Sequence, residues 1–240
     1  MWYLIVPALI TGYLYKTGKL SAIPAQNVVL TLHFATVIGS MAFLGSLGSN
    51  IIRFYVFLAA LLSSVVALLA NYGVPGRTTY QAWLAQAAHG ADFPFFMLTS
   101  IVLSAQSLGL GDVLAVAVVM RRALWALGVA VEKRRDAGAL VRRVQEVWMA
   151  VRRKEGVILN VMSLFEIFIG FYLVGMLLTP SRQIFTVFVY WNFLRLRFNA
   201  PRSRPLHAGA WAIIERWAEP IVKIQIVGKG VDKVKSWFLQ

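Results

Sequence analysis

Two early stretches of the chain, Leu20 to Ile52 and Phe54 to Gly76, contain no Asp, Glu, Lys or Arg. A helix that crosses a bilayer needs about 20 mostly apolar residues. Asn27 to Gly48 and Ile51 to Ala70 each supply that length. The turn-rich run Gly45-Ser46-Leu47-Gly48-Ser49-Asn50 separates them, so the pair reads as a helical hairpin. A backbone in hydrocarbon must satisfy its own hydrogen bonds, and helices do that within one segment. The expected fold class is therefore an all-α integral membrane protein, with hairpins in the bilayer.

Composition agrees. Hydrophobic residues make up 59% of the 240 and charged residues 14%, against about 25% charged in a typical soluble domain. Disorder goes with low hydrophobicity and is excluded. Nucleic-acid binding is not expected from so apolar a chain, despite 24 Lys and Arg against 10 Asp and Glu. Cysteine is absent, which removes disulfides, thiolate metal sites and a Cys nucleophile.

Four later segments continue the pattern. Phe93 to Gly111 is free of charge and ends in Leu108-Gly109-Leu110-Gly111-Asp112, with Asp112 an expected N-cap. Val113 to Val131 is apolar except for Arg121 and Arg122, and Val157 to Thr179 except for Glu166. Thr179-Pro180-Ser181 breaks the helix. Ile184 to Leu194 follows, about 11 residues, too short for a standard span. It reads as the returning arm of a shallow hairpin or the start of an interfacial helix. Arg53, Asp112 and Arg182 fall at the three hairpin tips. The N-terminal Trp2 to Tyr15 reads as a short embedded or interfacial helix, since it lacks the basic start of a signal peptide.

The resulting organisation is a short apolar segment over 1–26, two membrane hairpins over 27–131, a basic amphipathic helix within 132–156, a third hairpin over 157–198 and a basic amphipathic tail over 199–240. Lys and Arg concentrate after residue 120, so the basic loop and the tail are expected on the cytoplasmic side.

Two segments are amphipathic. In Asp136 to Glu155, Leu140, Val141, Val144, Val147, Trp148 and Val151 recur at helical spacing among arginines. That describes a helix lying in the interface plane or packed on the protein's own bundle. In the tail, Trp211, Trp217 and Trp237 lie on a stripe accompanied by Lys223, Lys229, Lys233 and Lys235. These residues, with Trp148, are the candidates for binding an anionic membrane surface.

Catalytic and metal-binding patterns are missing from the sequence. His33, His89 and His207 are scattered, and neither a phosphate-binding loop nor a Gly-x-Ser-x-Gly elbow occurs. No enzymatic activity and no cofactor are expected. The sharpest chemical feature is Glu166 with Arg121 and Arg122, charges inside apolar segments. A charge at the bilayer centre costs about 2.5–3.5 kcal/mol on insertion scales, so such residues pair or line a route. An inter-helix pair between Glu166 and one of the two arginines is the expectation, with a proton or ion route as the alternative.

Several motifs together resemble the transmembrane protein 33 family. These are Trp83-Leu84-Ala85-Gln86, Lys133-Arg134-Arg135-Asp136-Ala137-Gly138, Ile158-Leu159 and Glu166-Ile167-Phe168. The most recognisable block follows the pattern Tyr-x-x-Phe-Leu-x-x-Arg-Phe, matched by Tyr190, Phe193, Leu194, Arg197 and Phe198. The resemblance covers roughly residues 50–220. It implies a non-enzymatic, membrane-shaping or scaffold protein of the endoplasmic reticulum and nuclear envelope. It also implies reticulon-type shapers or nuclear-pore components as partners, beside anionic membrane lipids. The residues alone leave two alternatives open: an accessory subunit of a larger membrane complex, and a small transporter or channel subunit using Glu166 and Arg121/Arg122.

Overall fold

The computed structural model describes residues 25–46, 48–74, 80–88, 90, 92–105, 107–134, 138–179, 183–201 and 203–222. The expectations for Trp2 to Tyr15, for Arg182 and for Lys223, Lys229, Lys233, Lys235 and Trp237 lie outside these residues. The described chain is helical throughout: α1 (Ala25–Gly45), α2 (Asn50–Tyr72), α3 (Tyr80–Ala88), α4 (Phe93–Ser104), α5 (Leu110–Glu132), α6 (Ala139–Arg152), α7 (Glu155–Met176), α8 (Ile184–Asn199) and α9 (Arg204–Val222).

Four helices, α1, α2, α5 and α7, are long and apolar enough to cross a membrane. The protein is an all-α integral membrane protein. The first hairpin forms as its sequence requires. Its turn contains Gly48 at φ +94, in the left-handed region that glycine enters without strain. α1 packs along α2 and also touches α5, α2 packs on α4, and α5 packs on α7. Phe43, Phe57, Leu98, Val116, Ile169 and Tyr190 belong to one buried cluster that joins the spans.

α1 is turned inside out relative to a helix of a soluble protein. His33, Thr36 and Ser40 face inward, while Phe34, Ile38 and Met41 are exposed. Lipid accepts the apolar side, and small polar residues let helices approach closely. Thr36 and Ser40 each donate to the carbonyl four residues back, so no hydroxyl needs water.

Two arms are short. Phe93 to Gly111 was expected to act as one apolar arm, but α4 stops at Ser104 after 12 residues. At 1.5 Å per residue that is about 18 Å, roughly half a bilayer core. The returning arm α8 runs past the expected Leu194 to Asn199, 16 residues in all, about 24 Å. Apolar length alone overestimated α4, because Gly109 at φ +57 takes the N-cap of α5 and Asp112 becomes its third residue. Asp112 therefore does not cap as expected. Its carboxylate reaches backward, accepting from the Leu108 N–H at 2.7 Å and from Ser107 Oγ at 3.1 Å.

The same carboxylate joins the first two hairpins. Arg53, near the start of α2, lies 2.8 Å from Asp112. Arg53 also donates to the carbonyls of Val102, at 2.6 Å, and Ala105, at 3.3 Å. These belong to the last turn of α4, where carbonyls have no helical partner and the dipole favours a cation. One guanidinium thus closes α4, meets α5 and anchors α2. Both side chains are largely buried. Removing one member of a buried pair costs about 3–5 kcal/mol. Asp112→Asn should accordingly lower the melting temperature in detergent clearly, and Arg53→Met combined with Asp112→Leu should lower it less than the sum of the single changes. Additive losses, read by thermal unfolding, would remove the pair from this role.

Candidate functional site: paired charges within the bundle and a basic helix beside it

The charges inside the apolar helices form two clusters, and neither is the expected one. Glu166 lies in α7 and is almost fully buried. Its carboxylate accepts from Arg197 Nε and Nη2, both at 3.0 Å, and lies 3.1 Å from His207 Nε2. Two parallel N–H donors against two oxygens is the bidentate arrangement that a guanidinium favours. The expected pairing of Glu166 with Arg121 or Arg122 is therefore corrected. Arg122 instead pairs with Asp92 and donates to Ser64 of α2. It also covers the Phe95 ring at 4.6 Å. Arg121 lies over Trp125, 4.9 Å from the ring centre. The two arginines point to different sides of α5, because neighbours on a helix are about 100° apart.

The family block becomes intelligible as one helix face. Tyr190, Phe193, Leu194, Arg197 and Phe198 follow i, i+3, i+4, i+7, i+8 spacing along α8. Tyr190, Phe193 and Leu194 are buried, and Phe198 packs against the same core. The Tyr190 hydroxyl donates to the Glu166 carbonyl at 2.8 Å, while Arg197 binds the Glu166 carboxylate. Gly170 lets this face come close, since a Cβ there would lie 2.8 Å from Leu194 Cδ1. Glu166, read from sequence as an isolated intramembrane acid, is the point on which α8 and α9 converge.

The sequence left three members of these clusters unpaired. Asp92 was passed over, although it directly precedes the Phe93-Pro94 start of α4, a place where an acid meets the positive end of a helix. Arg197 was noted only as part of the family motif, and His207 only as scattered. His207 is fully buried, and its Nδ1 has no partner among the described residues.

The candidates for membrane contact divide. Trp148 is buried, not at a membrane surface. Its indole fills a notch at Gly128, where a Cβ would sit 2.3 Å from the ring, and meets Trp125 edge-on at 4.7 Å. Its Nε1 donates to Glu132 at 3.2 Å, and Arg152 pairs with the same carboxylate. Gln145 donates to the Val131 and Arg134 carbonyls, both at 3.0 Å. α6 is thus locked across the end of α5 by Trp148. A different stripe, Val144, Val147 and Val151, is left exposed, beside Arg143 and Arg153. In the tail, Trp211 also turns inward, meeting Phe171 at 5.9 Å and packing on the core. Trp217 is 61% exposed while stacking on Phe168. Tryptophan satisfied its large apolar area against the bundle in two of these three cases, where helix spacing alone had suggested lipid.

A family profile, described as Transmembrane protein 33/Nucleoporin POM33, matches residues 19–218. No curated protein and no solved structure matches the chain.

The cluster around Glu166 yields a direct test. Glu166→Gln leaves Arg197 without its counter-charge in an apolar setting, and thermal unfolding should register a loss of about 3–5 kcal/mol. Adding Arg197→Met should recover part of it, while adding Arg121→Met should give a simple sum. Recovery with Arg121 and not with Arg197 would overturn the assignment.

Proposed function

The chain belongs to the Transmembrane protein 33/Nucleoporin POM33 family, and on that premise we propose that it is a non-enzymatic scaffold that shapes the membrane of the endoplasmic reticulum and nuclear envelope. The basic loops and the C-terminal tail face the cytosol in this reading, because Lys and Arg accumulate there. Anionic lipids of the cytosolic leaflet are the first partners. Reticulon-type shapers or nuclear-pore components are the protein partners that the family suggests.

The observation that carries the reading is the placement of α6. It connects the ends of two spanning helices, α5 at Glu132 and α7 at Glu155. Both ends lie at one face of the bilayer, so α6 lies there too. Its exposed Val144, Val147 and Val151 cannot favourably remain in water, and its arginines favour an anionic surface. A helix of 14 residues is about 21 Å long and 10 Å wide, and so displaces roughly 200 Å² of one leaflet only. The lock at Trp148 keeps that displacement attached to the spans. Expansion of one leaflet relative to the other is the physical basis of curvature. A spacing of charges suited to transport has less support, since Glu166 and Arg122 are each engaged with partners.

Full-length protein reconstituted into anionic vesicles should narrow them into tubules or small vesicles, visible by electron microscopy, without conducting ions. Replacing Val144, Val147 and Val151 with Ser should weaken tubulation severalfold with the fold intact by circular dichroism. Ion flux without remodelling would favour the channel reading instead.

A further inference from the structure

α4 and α8 both leave the tip side of the bundle and stop partway. α4 begins at Phe93, beside the Asp92–Arg122 pair, and α8 ends at Asn199, just past the Arg197–Glu166 pair. Arg122 lies twelve residues into α5 and Glu166 eleven into α7, each about 16–18 Å from the nearer helix start. That is close to the centre of a core about 30 Å thick. The two short helices are in contact. Between their inner ends lies a groove of about 160 Å³, walled by Phe93, Pro94 and Met97 of α4 and by Phe193 and Leu196 of α8, with Arg197 at one side. A cavity of about 150 Å³ with apolar walls stays dry and accepts hydrocarbon. Left empty in a membrane, these walls would forfeit their dispersion contacts.

We propose that this groove binds one acyl chain of an anionic phospholipid from the leaflet on the side of the basic loops. α4 and α8 do not cross that half of the bilayer, so its lipid is the hydrocarbon that reaches the groove. Pro201 closes the rim, and three residues further Arg204 is exposed at the first residue of α9. A cation there suits a headgroup phosphate, while the chain lies between Met97 and Leu196. The site requires only that the protein span a bilayer, whether or not it shapes one.

The test uses the full chain in nanodiscs doped with phosphatidylserine or phosphatidylcholine carrying a photoreactive diazirine on one acyl chain. After irradiation, peptides bearing Met97 or Leu196 should carry at least fivefold more phosphatidylserine adduct than the peptide with lipid-exposed Phe188. Ala200→Phe, at the groove margin, should cut the groove adducts at least fivefold and leave the Phe188 adduct unchanged. If that variant melts early, Met97→Phe narrows the same space from the opposite wall and should give the same result. Arg204→Gln should erase the preference for phosphatidylserine while groove labelling persists. Equal labelling at Phe188 and in the groove means annular lipid only and overturns the site. An unlabelled groove, as a protein segment lying in it would produce, overturns it too. Equal labelling by both lipids overturns the anionic preference.

Discussion

The cost of an unpaired charge in hydrocarbon organises this bundle. Three cationic side chains within apolar helices, Arg53, Arg122 and Arg197, each meet an acid: Asp112, Asp92 and Glu166. Each pair joins different helices, so the pairs fix which helix lies against which. The two mid-depth pairs also follow the helix dipole. Asp92 stands at the N-terminal end of α4 and Arg197 near the C-terminal end of α8, where an acid and a base respectively are favoured. A short helix ending inside a membrane exposes backbone groups that water cannot reach. Placing a complementary charge at that end, and countering it from a long neighbour, makes the half-length helix tolerable.

Much of this architecture was legible in the sequence. Charge-free runs located α1, α2, α5 and α7 to within a few residues, because burial in lipid demands a length that few other structures need. The turn at Gly45 to Asn50 was equally plain. The lengths of α4 and α8 were not, since a hydropathy pattern does not say where a helix stops when both sides of the stop are apolar. Charge partners were the least legible. Glu166 and Arg121 or Arg122 were natural candidates along the sequence, yet the pair that forms depends on which faces of α5, α7 and α8 meet. The spacing of Tyr190, Phe193, Leu194, Arg197 and Phe198 already contained that answer, as a single helix face with a base at its end.

The aromatic residues show the same limit from another side. A tryptophan on an amphipathic helix suits a membrane surface and a protein groove equally well. Gly128 decided the matter for Trp148, because only a residue without a side chain leaves room for the indole. That choice moved the lipid-facing role to the valines on another side of α6. The fold thereby holds a small amphipathic helix in a fixed pose, where an isolated peptide of the same sequence would be free to roll.

Arg53 also imposes an order on biogenesis. Its partners Val102, Ala105 and Asp112 are made some 50 to 60 residues later. When the first hairpin leaves the translocon, it therefore holds a guanidinium with nothing yet to receive it. Glu166 waits likewise for Arg197 and His207. Such segments stay at the protein or water side of the insertion site until their counter-charges arrive. The hairpins are released into lipid together, as an assembled set, and a ribosome stalled between them leaves a chain that quality control can recognise by its uncovered charge.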